Sequence, residues 1–141
     1  TVGPGAVNAH LTTLGDSVAG KTVALLGLTF KPNTDDMRDA PSLDIAPALI
    51  AAGAKVQAFD PEGMQEAAKL LPDVEMKDNA YDAVAGADAV VLVTEWDQFR
   101  ALDLDRIKRL MKQPVLVDLR NIYRPEDMKT RGFRYMGVGR G

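Results

Sequence analysis

The run Ala89-Val90-Val91-Leu92-Val93 is apolar at every position, with none of the alternation a half-wet strand would show. Such a run fits a strand covered on both faces, as in a parallel sheet whose crossovers pack above and below it. Thr22-Val23-Ala24-Leu25-Leu26 and Val115-Leu116-Val117-Asp118 have the same character. Lys55–Asp60 reads as a shorter strand closed by Asp60-Pro61, Val74-Glu75-Met76 as a brief one, and Arg134–Val138 as a last edge strand. Between them lie apolar residues at helical spacing. Leu43, Ile45, Ala46, Leu49 and Ile50 form one stripe, stopped by Gly53; Met64, Ala67, Ala68 and Leu71 form another, ended by Pro72. Tyr81–Ala85 reads as a short helix closed by Gly86, and Leu104, Ile107, Leu110 and Met111 make a further stripe.

Strands that alternate with helices imply right-handed crossovers and a parallel sheet. The expected fold is therefore α/β: a Rossmann-like, doubly wound, mainly parallel sheet of about five or six strands with helices on both faces. Residues 1–19 read as a lead-in, or as the end of a preceding helix or linker, with a weak stripe at Val7, Leu11, Leu14 and Val18. Residues 20–141 make up the domain. The chain of 141 residues is long enough to bury one core, and its 46% apolar and 26% charged composition is that of an ordinary globular domain. A net charge of −3 argues against nucleic acid as a partner, because neutralising phosphates needs a basic face. There is no cysteine, which excludes disulfides, thiolate metal sites and a cysteine nucleophile within these residues and fits a reducing cytoplasm. No apolar run reaches membrane-spanning length, and no signal-peptide pattern is present. His10 stands alone, without neighbours at ligand spacing, and receives no role.

The longest connection, Gly27 to Ser42, leaves the first strand and enters a helix where Pro41 suits a first helical position and Ser42 or Asp39 a cap. It carries Lys31 and Arg38 beside Asp35, Asp36 and Asp39. In a parallel sheet this loop shares one edge with Thr94-Glu95-Trp96 and with the segment Asp118–Arg124. The edge then offers Lys31, Arg38, Arg120 and Arg124 as cations and Phe30, Trp96 and Tyr123 as flat surfaces. Such a set suits a phosphate joined to a ring, hence a nucleotide. Each residue also has a plainer reading. Lys31 is either a solvated lysine or a ligand contact, and its place on the loop favours the second. Arg38 is open between pairing with Asp35 or Asp36 and touching ligand. Trp96 favours core packing, Arg124 favours the surface, and Phe30 and Tyr123 stay undecided. Arg120 is open to a salt bridge with Asp118, although its place at a strand end favours a ligand. The adjacent Asp35 and Asp36 suit turn formation better than acid–base work. A dinucleotide fingerprint is missing: Gly27 is followed by Leu28, Thr29, Phe30 and Lys31, with no further glycine before Gly53. Asp60 alone occupies the place of a ribose-binding acid.

Four segments carry a family resemblance: Gly27-Leu28-Thr29-Phe30-Lys31-Pro32-Asn33-Thr34-Asp35-Asp36-Met37-Arg38-Asp39-Ala40-Pro41-Ser42, Ala58-Phe59-Asp60-Pro61, Thr94-Glu95-Trp96 and Asp118-Leu119-Arg120-Asn121. From about Gly20 onward the chain resembles the carboxyl-terminal UDP-sugar-binding domain of the UDP-glucose/GDP-mannose dehydrogenase family. The resemblance implies an enzyme that oxidises the sugar C6 alcohol of UDP-glucose to the carboxylate of UDP-glucuronate in two NAD-dependent steps, through a thio-linked intermediate. It further implies that Phe30, Lys31 and Arg120 contact the UDP-sugar and that Arg38 reaches NAD across an interdomain cleft. NAD itself would be held mainly by an amino-terminal dehydrogenase domain, and the full enzyme would be a homodimer. The family's glycine-rich motif, catalytic cysteine, lysine and asparagine are not in these residues, so no catalytic residue is expected here. Two rivals stand beside this reading: a free-standing nucleotide-binding or regulatory module, and a domain serving oligomer contacts.

Overall fold

The computed structural model describes residues 19–29 and 42–137. The weak stripe from Val7 to Val18, the loop residues 30–41 and the tail 138–141 lie outside them. Strands β1 (Thr22–Leu26), β2 (Lys55–Phe59), β3 (Glu75–Met76), β4 (Ala89–Leu92), β5 (Val115–Asp118) and β6 (Arg134–Gly137) form one sheet in the order β3-β2-β1-β4-β5-β6. Every neighbouring pair is parallel, as the continuous apolar runs require. The expected strands are all present, and the segment from Arg134 does close one edge. The order runs outward from β1 in both directions, which is the doubly wound arrangement.

The pleat sorts side chains into two cores. Val23 and Leu25 of β1 join Val91 and Val117 on one face, under Ile45 and Leu49 of α1 (Ser42–Ala51) and Ala67 of α2 (Met64–Leu70). Ala24 and Leu26 point the other way and meet Val90, Leu92 and Leu116. That face is covered by Ala83 and Val84 of α3 (Ala80–Val84), Phe99 of α4 (Asp97–Arg100), Ile107 of α5 (Leu104–Leu110) and Met128 of α6 (Pro125–Thr130). Phe59 and Phe99 meet edge to face, with centroids 6.4 Å apart.

Local chemistry sets the helix limits. Asn79 caps α3 by accepting from the Asp82 amide at 2.8 Å, and Asp103 caps α5 through the Arg106 amide at 3.1 Å. Gly53, with φ of 96°, ends the turn after α1. Ser42 was a candidate cap for α1, but its hydroxyl donates to the Leu28 carbonyl at 2.6 Å, joining the two roots of the long connection. Helices α4 and α6 are additions to the expected set. A four-residue helix is too short to show periodicity, and α6 announces itself only by Pro125 in its first turn. Ala68, expected on the α2 stripe, is exposed; Leu71, just past the helix, fills the core position instead.

One carboxylate ties the strand ends together. Asp60 follows β2 and is wholly buried. Its Oδ2 accepts from the amides of Leu28 (2.7 Å) and Thr29 (3.1 Å), from Thr29 Oγ1 (3.3 Å) and from Trp96 Nε1 (3.3 Å). Its Oδ1 accepts from the amides of Glu62 (2.9 Å) and Gly63 (2.7 Å). Nearby, Gly27 turns at φ of 91°, so close to the chain after β4 that a β-carbon there would lie 2.5 Å from Thr94 Cβ. Asp60→Ala is expected to lower unfolding free energy by roughly 3–5 kcal/mol, because several buried donors lose their acceptor. Asp60→Asn should cost less, since one oxygen remains. Gly27→Ala should cost about 2–3 kcal/mol through overlap and backbone strain. Urea denaturation followed by circular dichroism measures all three.

Candidate functional site

Registry places the carboxyl ends of five strands on one level. Leu26 of β1 pairs with Phe59 of β2 and with Leu92 of β4; Leu92 pairs with Asp118 of β5, and Asp118 with Gly137 of β6. The chain segments after β1, β4 and β5 therefore leave from a single row, as the parallel order requires. The strand order reverses between β1 and β4, where neighbouring crossovers diverge to opposite faces and leave a crevice.

Hydrogen bonds then join these departures to one another. The Val93 amide donates to the Leu26 carbonyl at 2.9 Å, and Thr94 Oγ1 donates to the Thr29 carbonyl at 2.5 Å. The Leu119 amide donates to the Leu92 carbonyl at 3.0 Å. Arg120 is half-buried; its backbone amide donates to Asp118 Oδ1 at 3.0 Å, and its side-chain Nε donates to the Val93 carbonyl at 2.9 Å. The guanidinium thus reaches back over the gap between β5 and β4. Asp118 deals with Arg120 through the arginine's backbone amide, while Val93 takes the side-chain Nε.

Asp118 is a second buried carboxylate at a strand end. Its Oδ2 accepts from the Tyr123 amide at 3.1 Å and from the Tyr135 hydroxyl at 2.6 Å. The same hydroxyl lies 3.0 Å from the Tyr123 carbonyl. Between these contacts Asn121 adopts a positive φ of 56°, a conformation that Asn tolerates better than most residues. The segment from Leu119 to Tyr123 is thereby a short arch fixed at both feet.

The aromatic candidates separate from the cations. Trp96 is buried in the second core with its indole N–H on Asp60, so it packs and staples. Tyr123 is also buried; its hydroxyl donates to the Phe99 carbonyl. Burial, reinforced by the charge of Asp118, pushes its phenol well above the ordinary tyrosine range. Neither ring is a stacking surface open to a base. Arg124 is exposed at the start of α6, the surface position expected of it. Of the residues chosen for ligand contact, Arg120 is on this edge, whereas Phe30, Lys31 and Arg38 fall in 30–41, outside the described residues, with Asp35, Asp36 and Asp39.

Asp60 occupies the position of a ribose-binding acid, yet its two oxygens are taken by the donors named above. At Gly27 the backbone packs so closely on Thr94 that a β-carbon would not fit. Sequence reasoning missed the structural parts of Asp60, Asp118, Thr94 and Tyr135. A usable signal was present for two of them, since Asp60 and Asp118 each close an apolar strand, where a carboxylate can collect the amides of the following turn. Among the described residues, no three or more His, Asp or Glu side chains are grouped to hold a metal ion.

Comparison with known proteins supplies the family. Residues 24–125 match the pattern described as "UDP-glucose/GDP-mannose dehydrogenase family, UDP binding domain". The chain is 52% identical over 130 residues to UDP-glucose 6-dehydrogenase of Rhizobium meliloti (strain 1021), covering 92% of this chain and 30% of that protein. It is 49% identical over 127 residues to UDP-glucose 6-dehydrogenase of Pseudomonas aeruginosa, covering 86% and 28% respectively. Among solved structures, it resembles the NDP-N-acetyl-D-galactosaminuronic acid dehydrogenase of Methanosarcina mazei Go1 with a TM-score of 0.81 and 34% identity, over 94% of this chain and 27% of that one. A UDP-glucose dehydrogenase from Pyrobaculum islandicum gives a TM-score of 0.81 at 30% identity, over 98% of this chain and 30% of that one. The chain thus spans about 30% of the length of the curated relatives it matches. With the sheet order, the strand-end row and these matches in agreement, the chain belongs to the UDP-glucose/GDP-mannose dehydrogenase family and represents its UDP binding domain.

Proposed function

We propose that this chain holds the nucleotide end of a UDP-sugar at the carboxyl edge of its sheet, as part of an NAD-dependent dehydrogenase that oxidises UDP-glucose to UDP-glucuronate. The observation that carries the proposal is the anchored Arg120. Its backbone and Nε are committed to Asp118 and Val93, which fixes a guanidinium at the level strand ends, beside the crevice where ligands of such sheets bind. A fixed planar cation suits a phosphate, because little side-chain entropy remains to be lost when the ligand arrives. Relatives named UDP-glucose 6-dehydrogenase at about half identity support the choice of substrate.

In this reading Phe30 and Lys31 complete the UDP-sugar site from the long loop, and Arg38 faces the cofactor across a cleft. Residues 20–141 form the UDP-sugar-binding domain. The domain has a positioning task. Binding energy gathered from the nucleotide, remote from the reacting carbon, orients the sugar for chemistry performed elsewhere in the enzyme. NAD, held mainly by an amino-terminal domain, supplies the hydride acceptor. The full enzyme works as a homodimer in the cytoplasm. No helix among the described residues is long and apolar enough to cross a membrane.

Calorimetric titration with UDP, UDP-glucose and NAD tests the proposal. The expected result is saturable binding of both UDP compounds and none of NAD. Lys31→Ala and Arg120→Ala should each weaken UDP binding by about tenfold or more, as expected when a charge-assisted contact to phosphate is removed. Binding of NAD in preference to UDP would sink the assignment. If the 141 residues bind nothing, the same titration on the enzyme with its amino-terminal part restored decides the matter.

A further inference from the structure

We propose that Tyr135, on the edge strand β6, is a positioning residue for nucleotide binding and acts through the arch that carries Arg120. The inference rests on the reading of Arg120 as a phosphate contact. The arch from Leu119 to Tyr123 begins at Asp118 and returns to it, because Asp118 accepts from both the Arg120 and Tyr123 amides. Those two bonds close the arch through one carboxylate, with one amide on each oxygen. The Tyr135 hydroxyl adds a third bond to it, from outside the arch. It donates its one proton from the neighbouring strand to Asp118 Oδ2 at 2.6 Å, and its oxygen lies 3.0 Å from the Tyr123 carbonyl, so it braces the acceptor that both feet share.

The strand pairing makes this reach possible. Leu116 is in register with Tyr135 and Asp118 with Gly137, which places Tyr135 two residues short of the carboxyl end of β6. Its half-buried ring packs against the second core, and its hydroxyl lies at the level of the arch. A hydroxyl at the end of a rigid ring is well suited to holding a carboxylate at fixed distance. With the carboxylate fixed, the Arg120 amide is fixed, and the guanidinium bonded to Val93 keeps one position over the β4–β5 gap.

Tyr135→Phe keeps the ring and removes the grip. UDP affinity is measured by calorimetry for the native protein, Tyr135→Phe, Arg120→Ala and the double variant, in the 141-residue chain or, where that binds nothing, in the enzyme with its amino-terminal part restored. The expected result is a loss of roughly tenfold from Tyr135→Phe in the native background and less than about twofold when Arg120 is already alanine, the mark of two residues acting through one contact. Hydrogen exchange at the Arg120 and Tyr123 amides should speed up in Tyr135→Phe while the β1 and β4 amides keep their protection. Equal losses in both backgrounds, no loss in the native one, or unchanged exchange in the arch would overturn the role of Tyr135. If the native chain binds UDP and Arg120→Ala binds it equally well, the reading of Arg120 itself fails, and the proposal falls with it.

Discussion

The carboxylate of Asp60 is the contact on which the carboxyl edge depends. A buried charge is costly unless donors replace its lost water, and here the donors come from three separate segments. Two are amides of the turn that follows Asp60, two are amides at the mouth of the long connection, and one is the indole of Trp96. The four amides lie just past strand ends, where the ladder no longer supplies an acceptor. The acid therefore solves the hydrogen-bonding problem of β1, β2 and the segment after β4 at once. A neutral side chain of similar size would leave several buried donors unmatched.

Asp118 repeats the device at β5, with a different outcome. Asp60 collects its donors into a closed core, whereas Asp118 shapes a short arch with a half-buried arginine on it. One acid makes the edge rigid; the other presents a cation from that rigid edge. The long connection between β1 and α1 is rooted in the same framework, since Leu28 is bonded to Ser42 and Asp60, and Thr29 to Thr94. Whatever that connection contacts, its two roots enter from fixed points.

Most of the scaffold was legible in the sequence because burial on both faces writes itself as unbroken apolar runs. The runs at 22–26, 89–93 and 115–118 predict β1, β4 and β5 almost to the residue, and the stripes ending at Gly53 and Pro72 predict α1 and α2. Helix α4 was not legible: four residues hold about one turn, and Phe99 alone marks its inner face. The common edge and the place of Arg120 on it followed from topology. Trp96 was expected in the core and is there, but the roles of Asp60 and Tyr123 did not follow, because a buried acid and a ligand-binding acid look alike until their donors are located. Tyr135 was beyond reach for another reason. Its partners Asp118 and Tyr123 lie 17 and 12 residues earlier, and only strand pairing brings them together.

The position of β1 has a consequence for how the chain acquires its structure. β1 is the first described strand yet lies inside the sheet, paired on one side with β2 and on the other with β4, so that Val23 meets Ala89. Through synthesis of the intervening residues one flank of β1 has no partner, and the pairing that fills it is long-range and slow to close. The bond from Thr94 to Thr29 can form only after that pairing. The inner flank of β1 and the roots of the long connection are thus completed together, and a chain stalled before β4 would expose a hydrophobic strand edge.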